Sequence, residues 1–191
     1  MAVHRYILNN DNCYGWVAVL LHWFMAVAIL GLYPLGLYIE SLDYYDPAYR
    51  TVPMWHKSVG IIVAVFLIVR LIWRVWNKPP RPLPQPKLIQ LAAKLTHIFL
   101  YLLLFVALCS GFMISTADGS AIAVFNMIEI PALPFSFEHQ EDIAGDIHFI
   151  VTTLLMVLAA IHAGAALKHH FIDKDPTLKR MLAMREKANE D

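Results

Sequence analysis

From Asn12 to Ile39 the chain carries no Asp, Glu, Lys or Arg, and the same holds for Leu95–Ala117 and Ile147–Leu167. A fourth apolar stretch, from about Trp55 to Trp76, runs uncharged through Ser58–Val69 and then carries Arg70 and Arg74 near its end. Roughly 20 apolar residues suffice for a helix to cross a bilayer once, so each stretch predicts one span. The boundaries read as about 15–39, 55–76, 93–116 and 146–168, followed by a basic tail, 169–191. Composition agrees, because 59% of the 191 residues are apolar and 16% charged, where soluble domains carry roughly a quarter charged. The predicted fold class is all-α, an integral membrane four-helix bundle in a single domain. A formal net charge of zero gives a nucleic-acid-binding function no support.

Four crossings put both termini on one side, and lysine and arginine placement says which. The second-to-third loop with its helix ends holds Arg70, Arg74, Lys78, Arg81, Lys87 and Lys94. The C-terminal end holds Lys168, Lys174, Lys179, Arg180, Arg185 and Lys187, and the N-terminus adds Arg5. Only Arg50 and Lys57 lie opposite, so both termini are expected in the cytoplasm of a bacterial inner membrane protein. The first span is too long for a signal-peptide core and has no clear cleavage site, so it is expected to stay attached. Trp16, Trp55, Trp73 and Trp76 fall near span ends, as interfacial anchors do.

Ionisable groups inside a membrane are costly and face a bundle interior with a task. Five of the nine histidines lie in spans: His22, His56, His97, His148 and His162, at least one in each. His22, His97 and His162 belong to the cytoplasmic half, His56 and His148 to the outer ends of their helices. In the fourth span His148 and His162 are separated by about 21 Å of helix axis and by about 40° around it, so one helix face offers two imidazoles. The same 14-residue step leads from His22 to Gly36, from His56 to Arg70 and from His97 to Gly111. Glycine at the opposite layer, with Gly60 one turn beyond His56, removes bulk where a flat ligand would pass; close helix packing is the ordinary reading of each alone.

Zinc takes four ligands, often including thiolate or carboxylate, and no span has an Asp or Glu in its interior. Cys13 and Cys109 form no CxxC, which removes a disulfide framework, a thiolate zinc site and covalent haem attachment. A b-type haem needs two axial ligands, and bis-histidine ligation fits this inventory. Two haems stacked in a four-helix bundle would form an electron path between the two sides. Arg70 would set a cation at the inner layer, suited to a haem propionate. Depth pairs His56 with His148 but leaves His22, His97 and His162 for the two inner places.

The chain resembles the bacterial di-haem cytochrome b561 family over nearly its whole length. The resemblance rests on Leu21-His-Trp23, His56-Lys-Ser-Val-Gly60 with Val69-Arg-Leu-Ile-Trp-Arg74, Thr96-His97, and His148 with Ile161-His-Ala-Gly-Ala-Ala-Leu-Lys-His-His170-Phe171 and Asp173-Lys-Asp-Pro-Thr-Leu-Lys-Arg180. Ile114-Ser-Thr-Ala-Asp-Gly119 looks closest to the subgroup often encoded beside a periplasmic lipocalin-like lipid-binding protein. The resemblance implies an inner haem b on His22 and His162 and an outer one on His56 and His148. It frees His97 for a quinone or a propionate, and Lys168, His169 and His170 become candidates for a ubiquinone or menaquinone site. His139, in the outer loop, and His4, in the tail, have nothing to recommend them.

Some members of that family oxidise superoxide at the outer face and pass the electron to ubiquinone, which would make the chain a superoxide:quinone oxidoreductase. An anionic substrate is best guided by positive potential. The outer segments here carry Glu40, Asp43, Asp46, Asp118, Glu129, Glu138, Glu141, Asp142 and Asp146 against Arg50 and Lys57, a balance that suits a neutral or cationic periplasmic partner. The expected function is electron transfer between such a partner and the membrane quinone pool, with membrane lipid and a second copy of the chain as further partners. Two other readings stand beside it: the cytochrome anchor subunit of a larger dehydrogenase or hydrogenase, and a haem-free metal or proton transporter. No Ser/His/Asp arrangement or Gly-rich nucleotide loop is present.

Overall fold

Helix formation follows from the apolar runs, with Gly15 capping the start of the first span and Pro86 that of the third. The computed structural model describes residues 7–182, so His4, Arg5, Arg185 and Lys187 lie outside the described residues. In chain order α1 is Trp16–Glu40, α2 Thr51–Trp76, α3 Lys87–Ser115 and α4 Gln140–Phe171, followed by a short α5, Thr177–Met181. Each of α1 to α4 is long and apolar enough to span a membrane, with mean hydropathy of 2.0 to 2.4 over its best stretch. The architecture is the expected all-α membrane bundle. The helices overrun the apolar stretches: α3 starts at Lys87 and α4 runs from Gln140 to Phe171, because the backbone stays helical through the polar membrane surface.

Prolines set the link between α2 and α3. Pro79, Pro80, Pro82, Pro84 and Pro86 each lack an N–H and force the preceding residue out of helical geometry, and Pro86 stands at the N-cap of α3. Pro34 lies inside α1, where a bilayer-spanning helix tolerates it. Glu141 and Asp142 in the first turn of α4 and Lys168, His169 and His170 in its last turn complement the helix dipole.

The helices pack as two hairpins, α1 with α2 and α3 with α4, with looser contact between them. A buried cluster of Met25, Val63, Leu67, Leu104 and Leu155 joins all four at mid-height, with Ile29 packed against it. Its place explains the 14-residue steps in the sequence. Ile29, Val63, Leu104 and Leu155 are the midpoints between His22 and Gly36, His56 and Arg70, His97 and Gly111, and His148 and His162. Seven residues return a helix to nearly the same face. The bundle is therefore tiered, with an apolar layer separating two polar ones.

One end is tied together by the N-terminal segment, the α2–α3 link and the C-terminal segment. Arg81 pairs with Asp11 at 2.9 Å, Asn9 donates to the carbonyl oxygens of Asn77 and Lys78, Trp23 Nε1 donates to the Met181 carbonyl at 2.7 Å, and Arg180 donates to the Arg81 carbonyl at 2.9 Å.

At the other end the loop between α3 and α4 carries an antiparallel hairpin. Its strands are β1, Ile122–Val124, and β2, Ile128–Ile130, with Ile122 opposite Ile130. Phe125 and Asn126 at its tip have φ of 49° and 56°. A left-handed Phe costs about 1–2 kcal/mol, and the tip is held against this by α2. Phe125 N–H donates to Ser58 Oγ at 2.8 Å, and its ring meets Trp55 edge-on with centroids 5.1 Å apart. Ser58→Ala removes that acceptor, and amide exchange at Phe125 is expected to rise about five- to tenfold, measurable by hydrogen–deuterium exchange. An unchanged rate would mean that the ring contact alone holds the tip.

Candidate functional site

The two polar tiers bring the intramembrane histidines together in pairs. At the hairpin end, His56 on α2 faces His148 on α4, ring centroids 6.3 Å apart and planes at 72°. At the tied end, His22 on α1 faces His162 on α4 at 6.4 Å and 76°. His97 on α3 also meets His162, but at 5.2 Å. Arg70 comes down one side of the same tier, so all six residues expected at a cofactor sit in these two layers.

The separations test the fit of a bis-imidazole iron. A metal–nitrogen bond of about 2 Å on each side, plus about 1 Å from nitrogen to ring centre, puts opposed imidazole centroids about 6 Å apart. His56–His148 and His22–His162 meet that requirement, while His97–His162 is too close to admit an atom between the rings. Among the described residues no three His, Cys, Asp or Glu side chains are arranged to hold a metal ion by themselves.

Hydrogen bonding orients the rings. His148 Nδ1 lies 2.9 Å from the Ala107 carbonyl oxygen and 3.2 Å from Ser110 Oγ. A carbonyl only accepts, so Nδ1 carries the proton and the lone pair resides on Nε2, the arrangement that holds a ligating histidine in place. His22 is in the opposite state. Arg70 Nη2 donates to His22 Nδ1 at 3.0 Å, so the neutral ring carries its proton on Nε2, the nitrogen that would have to be bare to hold a metal. Arg70 Nε donates to Tyr101 Oη at 2.9 Å, and the guanidiniums of Arg70 and Arg74 lie 5.8 and 5.9 Å from the Tyr101 ring centre. His56 Nδ1 is buried without a partner.

The glycines do something narrower than clear a path for a flat ligand. A Cβ on Gly36 would meet His56 Cε1 at 3.3 Å, and one on Gly111 would meet His148 Cε1 at 3.0 Å and Nδ1 at 3.3 Å. Each glycine is the seat of an imidazole at the opposite tier from its own helix's histidine. A Cβ on Gly60 would meet nothing within 4 Å, which leaves that face open as expected.

The residues expected at the membrane surface form a separate group. Lys168 donates to both carboxylate oxygens of Asp173, at 2.7 and 3.0 Å, and so holds that carboxyl below the usual carboxylate range. His169 Nδ1 lies 2.8 Å from Asp173 Oδ2 and 3.3 Å from Asp175 Oδ2. His170 Nδ1 is buried without a partner, its ring edge-on to Phe171 at 4.7 Å. His139 is exposed beside Glu138 and Asp142. The sequence reading passed over Tyr101, Ser110 and the Ala107 carbonyl. Tyr101 lies one turn beyond His97 and Ser110 directly before Gly111, so only the tier spacing could have marked them.

The family model described as prokaryotic cytochrome b561 matches residues 13–184. Cytochrome b561 homolog 2 of Escherichia coli (strain K12) is 45% identical over 175 residues, covering 91% of this chain and 93% of that protein. Cytochrome b561 homolog 1 of the same organism is 28% identical over 187 residues, covering 92% and 99%. A probable superoxide oxidase, CybB, of Yersinia pestis is 27% identical over 175 residues, covering 88% and 95%. The chain belongs to the prokaryotic cytochrome b561 family, and is a multi-pass protein of the bacterial inner membrane that binds b-type haem and transfers electrons.

Proposed function

We propose that the protein moves single electrons across the membrane between a one-electron partner at the hairpin end and the quinone pool at the tied end, through two b haems. The observation that carries this reading is the pair of matched imidazole separations, 6.3 and 6.4 Å, one on each side of an apolar layer. His56 and His148 hold the outer haem, His22 and His162 the inner one. When bound, each haem supplies an iron that accepts and releases one electron. The chain does the rest. Val63, Leu104 and Leu155, at most 7% exposed, keep water out of the space between the tiers. Ala107 and Ser110 fix the His148 ring. Arg70 and Arg74, both against the Tyr101 ring on the inner tier, would offer their guanidiniums to the propionates of an inner haem, and His97 lies on the same tier.

The basic tied end faces the cytoplasm and the acidic hairpin end the periplasm. Nine carboxylates against Arg50 and Lys57 at the outer end favour a neutral or cationic donor. The relative named a superoxide oxidase makes superoxide the alternative donor. The test is a dithionite-reduced minus oxidised spectrum of detergent-purified protein with a pyridine haemochrome assay. Two non-covalent low-spin b haems per chain are expected; absence of haem after expression with ample haem supply would overturn the reading.

A further inference from the structure

Two cavities adjoin where the last turns of α3 pack against the first turns of α4. The lower, of about 150 Å³, lies between the helices, walled by Val106 and Met113 of α3 and by Ile143, Ala144 and Ile147 of α4. Apart from sulfur its one polar side chain is Ser110, whose hydroxyl is already engaged with the Val106 and Ala107 carbonyls. A cavity so lined offers water no partners, stays dry and takes an apolar occupant. Cys109, also in its wall, is exposed, about 9 Å along the axis from the end of α3. The uncharged run Leu95–Ala117 puts that depth in hydrocarbon, so the cavity opens sideways into the acyl chains of the bilayer.

The upper cavity, of about 310 Å³, has the opposite chemistry. Three carboxylates line it: Asp118 beyond the end of α3, and Glu141 and Asp142 in the first turn of α4. These charges set it at the membrane surface, directly above the apolar slot. Phe137 lines both cavities. They meet again where Gln140, from the upper, donates to the carbonyl of Met113, from the lower, at 2.9 Å. No side chain caps α4, so a helix N-terminus, which favours negative charge, stands beside carboxylates that favour positive charge. Two other groups face them. His139 Nδ1 lies 3.8 Å from Asp142 Oδ2, too far for a hydrogen bond. The Asp118 carboxyl is held below the usual carboxylate range by the Ser120 N–H and hydroxyl and, more weakly, by Lys57 on α2.

We infer that the two cavities together form a site for one phospholipid with a primary ammonium headgroup, an ethanolamine phospholipid of the leaflet at the hairpin end. Part of one acyl chain occupies the slot between α3 and α4. The phosphate lies over the α4 N-terminus, and the ammonium donates to the carboxylates of Asp118, Glu141 and Asp142. A choline headgroup has no N–H to give those carboxylates. A glycerol headgroup brings a phosphate charge beside them with no cation to offset it. The bound chain lies against Ser110, whose hydroxyl is 3.2 Å from His148 Nδ1, so the lipid forms part of the wall around that histidine.

The test takes haem-loaded protein stripped of lipid in detergent and offers it ethanolamine, choline and glycerol phospholipids of one acyl composition, with binding read by native mass spectrometry. One ethanolamine phospholipid per chain is expected to bind about tenfold tighter than the other two. That preference is expected to narrow as salt is raised, because the headgroup contacts are at the surface. The double variant Glu141→Gln/Asp142→Asn changes only exposed side chains, and is expected to lower ethanolamine phospholipid affinity about five- to tenfold with haem content unchanged. Cys109→Trp, which blocks the slot from its lipid-facing side, is expected to weaken binding by a similar factor. An ethanolamine phospholipid with a diazirine in its acyl chain is expected to crosslink within residues 106–113 and 143–147. Retention of none of the three lipids, or equal retention of all three, would overturn the inference. So would a preference that the carboxylate and Cys109 variants leave unchanged, or crosslinks confined to other faces of the bundle.

Discussion

Alanine at His56 and alanine at His148 are expected to remove the same haem, and alanine at His22 and at His162 the other. In each purified variant the pyridine haemochrome count is expected to fall to about half, with one of the two low-spin components missing from the reduced spectrum, because iron with a single imidazole loses the ligand field that keeps it low-spin. The pairing comes from ring separations of 6.3 and 6.4 Å, which leave room for an iron, against 5.2 Å between His97 and His162, which does not. His97→Ala is accordingly expected to retain both haems. The double variant His56→Ala/His148→Ala is expected to lose no more haem than either single variant, since two residues that act on one iron are not additive. Loss of both haems from His97→Ala, with His22→Ala harmless, would exchange His97 for His22 in the inner pair.

Hydropathy and charge made the four helices and their grouping of basic ends readable, because the bilayer imposes one length and one surface rule on every span. The histidines were readable for the same reason: an imidazole in hydrocarbon needs a partner. Their depths gave two layers, and depth also gave the outer pair. The inner pair was not readable from spacing, since His22, His97 and His162 lie at similar depth on different helices, and only packing decides which rings oppose each other. Packing likewise decides that Ala107 offers its carbonyl to His148 and that Arg70 reaches His22 and Tyr101. The hairpin was hidden because its two strands are three residues each, too short for an alternating pattern, and because its tip uses Phe125 where a turn of this kind calls for glycine or asparagine. What holds such a residue there is Ser58, on another element, and a single sequence does not reveal that contact.

The glycines separate a seat for a ring from a merely open space, and substitution at them is expected to be graded. A Cβ at Gly111 would stand 3.0 Å from His148 Cε1 and 3.3 Å from Nδ1, and the ring cannot easily yield, because Nδ1 is tied to the Ala107 carbonyl. Gly111→Ala therefore pushes His148 off that carbonyl or away from His56, and the outer haem is expected to load poorly, with an off-position ligand costing on the order of 10-fold or more in affinity. At Gly36 the nearest approach is 3.3 Å, to a His56 ring whose Nδ1 has no hydrogen bond to lose, so Gly36→Ala is expected to shift the outer haem's spectrum and potential while retaining it. Gly60→Ala, with nothing within 4 Å, tests whether the open face belongs to the cofactor: loss of outer haem there would show that the porphyrin itself passes Gly60. In all three variants the inner haem is expected to be intact, since His22 and His162 lie beyond the apolar tier of Val63, Leu104 and Leu155. Redox titration resolved by haem checks this directly. Equal damage to both haems from Gly111→Ala would mean that the glycine serves the packing of α3 against α4 as a whole and not the seat of one imidazole.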